Sequence, residues 1–160
     1  MPNSGEVDLE AARSVLVVFD DLVRIQTMLW NGLDALIRDQ VGVGLGAVEV
    51  LQVVAATPDC RVQDVATQLA ITVGGTSQAV DRLQAKGLCA RRPNAMDRRS
   101  SLLEVTDSGL QLLASTDPLI RDHLRKALRD PVDAQTFQRL GDALGTLRAA
   151  AEAPRLNLPA

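Results

Sequence analysis

"RVQDVATQLAITVGGTSQAVDRLQAKGLCARRPNAMDRRSSLLEV", residues 61–105, changes its hydrophobic rhythm three times in one short stretch. Val62, Val65, Ala66 and Leu69 recur at helical spacing, so residues 61–70 read as a short helix. "ITVGG" turns the chain, and Thr72 stands where an N-cap belongs, its hydroxyl able to accept from the free backbone N–H groups of the next turn. A second helix over about 73–86 buries Val80 and Leu83 and stops at Gly87, the residue type suited to a left-handed exit. "LCARRP" (88–93) and "SLLEV" (101–105) then read as two short strands around "NAMDRRS", a hairpin. Helix, turn, helix, hairpin is the order of a winged helix-turn-helix.

Outside that unit the pattern is all helical. Residues 8–38 carry Val15, Leu16, Phe19, Leu22, Val23, Leu29, Trp30, Leu33, Leu36 and Ile37 near a 3.6-residue period. At about 1.5 Å per residue such a helix spans roughly 45 Å, more than one small globule needs. "VGVGLG" (41–46) breaks it, and a helix over about 45–56 ends at Thr57-Pro58. "TDSG" opens a helix over about 107–128, in which Pro118 is expected to cause a kink or break. Asp133 caps a last helix with Phe137, Leu140, Leu144 and Leu147 on one face. The expected fold class is mainly α with a small β-hairpin: one domain over 1–160, with a winged-helix lobe at 45–106 flanked by dimerisation helices at 8–38 and 107–150. The apolar faces of those flanking helices need another surface, most simply a second copy of the chain.

The chain has 160 residues, 46% of them hydrophobic but only 2% aromatic, so its core is built from Leu, Val, Ile and Ala. The net charge of −3 conceals an asymmetry. Residues 61–99 hold seven cations (Arg61, Arg82, Lys86, Arg91, Arg92, Arg98, Arg99) against three anions, while the remainder carries a net −7. An acidic body with one basic segment points to a polyanion gripped by that segment alone. No basic, then apolar, leader opens the chain and no uncharged apolar run reaches a membrane-spanning length, so the expected location is the cytoplasm, with no membrane contact. Cys60 and Cys89 form no CxxC motif. His123 is the single histidine, which argues against a zinc site and against hydrolysis by a histidine base. No catalytic constellation and no cofactor are expected.

A helix-turn-helix lays the N-terminal part of its second helix in the major groove. The candidate contacts there are Thr72, Gly75, Thr76, Ser77, Gln78 and Arg82. Gly74 and Gly75 remove bulk where the helix start approaches phosphate, and the first N–H groups can bind a phosphate oxygen. Gln78 can pair bidentately with adenine, and Arg82 with guanine or phosphate. On the hairpin, Arg98 and Arg99 are the side chains expected to enter a minor groove, where arginine meets a strongly negative potential. Asp97 is placed to hold Arg99 by a charge-assisted hydrogen bond. Arg91 and Arg92, on the strand leading to the tip, are within reach of phosphates.

These residues resemble the MarR family of multiple-antibiotic-resistance-type regulators. The resemblance covers 51–113 and rests on Val65-Ala66…Leu69, Asp81-Arg82-Leu83, Lys86-Gly87-Leu88, Asp97-Arg98-Arg99 and Leu103…Thr106-Asp107-Ser108-Gly109. It implies a homodimer held by the first and last helices, two winged lobes on a pseudo-palindromic double-stranded operator, and repression relieved by a small organic effector bound between lobe and dimer region. Two departures stand out: Gln78 where the family commonly has arginine, and the Gly74-Gly75 pair, which weakens the helix start by about 1 kcal/mol per glycine. In the family's arrangement Trp30 falls near the junction of the two regions, and Leu33, Val50 and Leu113 are candidates to line the same effector cavity. Two other readings remain open at this level. Cys60, at a helix start, offers a redox-responsive regulator if its thiol is exposed. Alternatively, the winged helix serves only as a protein–protein or dimerisation module.

Overall fold

The computed structural model describes residues 4–94, 97 and 100–152. Its elements are α1 (Ser4–Val41), α2 (Leu45–Ala56), α3 (Val62–Gln68), α4 (Val73–Ala85), β1 (Cys89–Pro93), β2 (Ser101–Val105), α5 (Asp107–Leu124), a single π-turn (Arg125–Arg129) and α6 (Ala134–Glu152). The chain divides into two compact units after Ile120, and each is described by itself. Among the described residues no single helix is long and apolar enough to cross a membrane.

The core of the first unit is built from aliphatic side chains contributed by every helix of the lobe. Ile37, Val48, Leu51, Val65 and Val80 are fully buried. Only the last turns of α1 join this core, through Leu33 and Ile37. Further back, Val15, Leu16, Phe19 and Met28 lie open, Met28 at 73% exposure. The start of α2 is capped from outside its own sequence. The Asp34 carboxylate accepts from the Leu45 N–H at 2.8 Å while Arg38 Nε donates to its other oxygen at 2.6 Å. The Arg38 bond first, and the Leu45 bond second, hold the Asp34 carboxyl below its usual range.

Thr72 caps α4 as its position in the sequence implies, accepting from Gly75 N–H at 3.1 Å. The helix ends where Gly87 takes φ +71°, and Leu88 N–H returns to the Leu83 carbonyl at 3.0 Å. β1 and β2 pair antiparallel from Cys89↔Val105 to Pro93↔Ser101. Leu103 N–H donates to the Cys60 carbonyl at 2.7 Å, so β2 is anchored on its far side to the turn before α3.

Thr106 ties the hairpin base to the next helix. Its hydroxyl donates to the Gly87 carbonyl at 2.6 Å and accepts from Gly109 N–H at 3.1 Å. At Gly109 the approach is so close that an added Cβ would lie 2.2 Å from the Leu88 carbonyl oxygen. The expected break at Pro118 does not occur: α5 runs through it to Leu124, with the exposed proline inside the helix. The irregularity comes later, as the π-turn.

In the second unit, Asp133 caps α6 by accepting from the Gln135 and Thr136 N–H groups. The Arg129 guanidinium lies over the Phe137 ring, 5.7 Å from its centroid. Phe137, Leu140, Leu144 and Leu147, predicted to share a face, are all exposed.

Candidate nucleic-acid interface and the adjoining cleft

Helix α4 presents three working sides, set by the 100° step between residues. Thr76, Val80 and Leu83 face the core and are buried. Ser77 and Asp81, one turn apart, face the hairpin. Gly74 and Gln78 point outward. At Gly74 no atom lies within 4 Å of an added Cβ, so nothing inside the protein requires glycine at this position. Arg82 stands on the border between the outward side and a cleft, with Gly75, Ala79 and Lys86 further round on the cleft side.

This register corrects one of the expected contacts. Thr76 is fully buried, and its hydroxyl donates to the Thr72 carbonyl at 2.9 Å. It secures the first turn of the helix and is not on the outward face. The apolar spacing 76, 80, 83 was the available signal.

Arg91 has partners within the protein. Its guanidinium donates to Asp81 Oδ1 at 2.9 Å, to Ser101 Oγ at 3.2 Å and to Ser77 Oγ at 3.4 Å. These partners hold it between α4 and the hairpin, with its side chain only 26% exposed. These bonds brace the helix against the wing. Arg92 is paired with Glu104 across the strands but remains exposed. At the tip, Asn94 is buried and its amide donates to Ser100 Oγ at 2.9 Å. Asp97 is exposed, and its carbonyl accepts from Ser100 N–H at 3.1 Å. Arg98 and Arg99, and with them the expected Asp97–Arg99 bond, lie outside the described residues.

Beside α4 opens a cleft of about 1070 Å³. Its walls are Trp30, Asp34 and Arg38 from α1; Gly46, Glu49 and Val50 from α2; Leu69 and Ile71 after α3; and the Gly75–Lys86 side of α4. Of the four residues expected to line an effector cavity, Trp30 and Val50 line this cleft. Leu33 and Leu113 do not: Leu33 points into the core, and Leu113 sits half-buried on α5 away from this cleft. Sequence reasoning missed Glu49, the single charge in the apolar helix "LGAVEVLQVVAA". Burial pushes its carboxyl above the usual value.

The condition that a redox reading of Cys60 requires, an exposed thiol, is not met. Cys60 is fully buried and Cys89 nearly so. Burial first, and the nearby Asp64 charge second, push the Cys60 thiol up, the opposite of activation. Among the described residues no group of His, Cys, Asp and Glu has the makings of a metal site.

Residues 41–100 match the MarR family model. No match was found among curated proteins. Among solved structures, the MarR family transcriptional regulator Sco3205 from Streptomyces coelicolor, in complex with DNA, is 25% identical, with 90% of this chain and 91% of that one covered and a TM-score of 0.79. The transcriptional regulator BldR from Sulfolobus solfataricus is 21% identical, covers 86% of this chain and 96% of its own, and has a TM-score of 0.76. The transcriptional repressor CouR, bound to a 23-mer DNA duplex, is 26% identical over 80% of this chain and 89% of its own, with a TM-score of 0.72. The family match spans α2 to β1, so residues 41–100 carry a MarR-type helix–turn–helix segment, and the fold shared with these regulators extends through the flanking helices.

Proposed function

We propose that the protein is a homodimeric repressor that binds a pseudo-palindromic operator in double-stranded DNA and is released from it by a small organic effector. The observation that carries this reading is the outward side of α4. Gly74 has no internal reason to be glycine, Gln78 is exposed and centred on that side, and Arg82 flanks it. A bare helix start next to a bidentate amide and a guanidinium suits close approach to phosphate followed by contact with base edges. The brace through Arg91 holds the wing to that helix, so groove and flanking contacts are pre-organised together. Gly75, Ser77, Gln78 and Arg82 on the helix, with Arg92, Asp97, Arg98 and Arg99 on the wing, form the proposed contact set, and Thr72 shapes the helix start. The compartment that fits is the cytoplasm.

Two copies are supported by the open apolar side of α1. Val15, Leu16, Phe19, Leu22 and Met28 expose between 39% and 73% of their surface, and α6 carries a second apolar side. Contiguous patches of this kind mark association surfaces. Two linked lobes match the two half-sites of an operator.

The test is a binding titration with duplex DNA from the promoter beside the coding sequence, at several salt concentrations. Affinity is expected to fall steeply with salt. Gln78→Ala, Arg82→Ala and Arg99→Ala are each expected to weaken specific binding by about 1–3 kcal/mol. Wild-type protein that binds neither promoter nor random duplex at low salt would show the winged helix to be a protein interaction module instead.

A further inference from the structure

The cleft beside α4 holds a charge that the DNA-binding reading does not use. Glu49 lies on the side of α2 that faces the cleft, one turn beyond Gly46. At Gly46 an added Cβ would lie 4.0 Å from Trp30 Cζ2, so the indole is laid against that side of α2, and it lines the same cleft as Glu49. Among the described residues no Lys or Arg nitrogen is within 4 Å of Glu49, and it makes no ion pair. The other charges of the cleft are accounted for differently. Arg38 is neutralised by Asp34 at 2.6 Å. Arg82 and Lys86, on the α4 side of the cleft, are exposed, and solvent and salt screen them.

We propose that the cleft binds an organic cation, a protonated amine on an aromatic or aliphatic body, with the amine seated on Glu49 and against the Trp30 ring. The proposal deepens the effector reading given above and rests on it for its regulatory meaning. Three features fit together. A half-buried carboxylate without a partner favours a cationic ligand that supplies the missing charge, because its desolvation is already met in the free protein. The Trp30 face attracts a cation through the ring quadrupole and gives an apolar body a surface to lie on. A volume of about 1070 Å³ accommodates a drug-sized molecule. Burial holds the Glu49 carboxyl above its usual value, and a bound ammonium would reverse that displacement.

Trp30 is the only tryptophan of the chain, so its fluorescence reports on this cleft alone. The experiment titrates the full-length protein at neutral pH with 2-phenylethylamine and, in parallel, with 3-phenylpropionate, a carboxylate of the same body. The amine is expected to change Trp30 emission saturably and the carboxylate to do so at least tenfold more weakly. Glu49→Gln is expected to weaken amine binding at least tenfold while its DNA binding stays as in wild type, and Glu49→Asp to recover part of the amine affinity. Equal or tighter binding of the carboxylate, unchanged amine affinity in Glu49→Gln, or no saturable response to the amine would overturn the proposal. A parallel DNA titration separates the two readings: amine binding that depends on Glu49 but leaves operator affinity unchanged sustains the cation site and removes the effector role.

Discussion

Glu49 shows what a single residue costs and what that cost reveals. Its carboxyl is raised from an ordinary 4.5 by burial alone. For an acid whose folded pKa is raised, the unfolded chain ionises first, so stability is greatest below about 4.5 and falls as pH rises through the folded value. Above both values the penalty is complete. Glu49→Gln removes the charge and is expected to raise the melting temperature at pH 7, with the difference closing near pH 4. An equal difference at both pH values would mean that the amide acts through packing instead. Thr76 makes the complementary point. A polar residue near a helix start reads as a surface contact until the register of its helix is known, and its hydroxyl here serves the carbonyl one turn back.

Among the elements, the hairpin depends on its junctions more than on its two short strands. A two-stranded ribbon is marginal by itself. This one is pinned to α4 by Arg91, to the Cys60 carbonyl by Leu103 and to the start of α5 by Thr106. Gly109 sits at the third of these junctions, where any Cβ would meet a backbone carbonyl that cannot swing away. Gly109→Ala is therefore expected to cost about 1–3 kcal/mol. That corresponds to roughly 2–4 °C in melting temperature per kcal/mol for a chain of this size. Thermal denaturation followed by circular dichroism checks it, and an unchanged midpoint would show that α5 can shift away from the hairpin base. Gly74, with open space around it, carries no such constraint, and the ordinary helix preference for alanine should make Gly74→Ala neutral or mildly stabilising.

For the whole molecule, the proposed dimer rests on surface that the single chain leaves wet. Leu16 and Phe19 are 68% and 65% exposed, on a helix of 38 residues of which only the last turns are used by the lobe's core. Replacing both by glutamate is expected to shift the protein from dimer to monomer in sedimentation at micromolar concentration. Operator affinity should then fall by at least tenfold, because two lobes would no longer bind as one. Wild-type protein that sediments as a monomer at high concentration would remove the dimer and, with it, the pairing of half-sites.

Helix periods, the Thr72 cap, the Gly87 exit, the alternating strands and the "TDSG" opening are local signals, and each is set by the conformational preference of a few adjacent residues. For that reason the order and approximate bounds of the α-helices and the two strands, and the family resemblance, were legible from the chain alone, whereas the π-turn was not. What a side chain touches across space is not a local property. The burial of Thr76 and Cys60, the capture of Arg91 by Asp81, the exclusion of Leu33 and Leu113 from the cleft and the unpaired position of Glu49 follow from how helices pack. Pro118 also belongs here: its sequence warns of a break, yet α5 continues through it with the proline ring on the exposed side. Packing couples residues dozens of positions apart, and only the tertiary structure decides which of them meet.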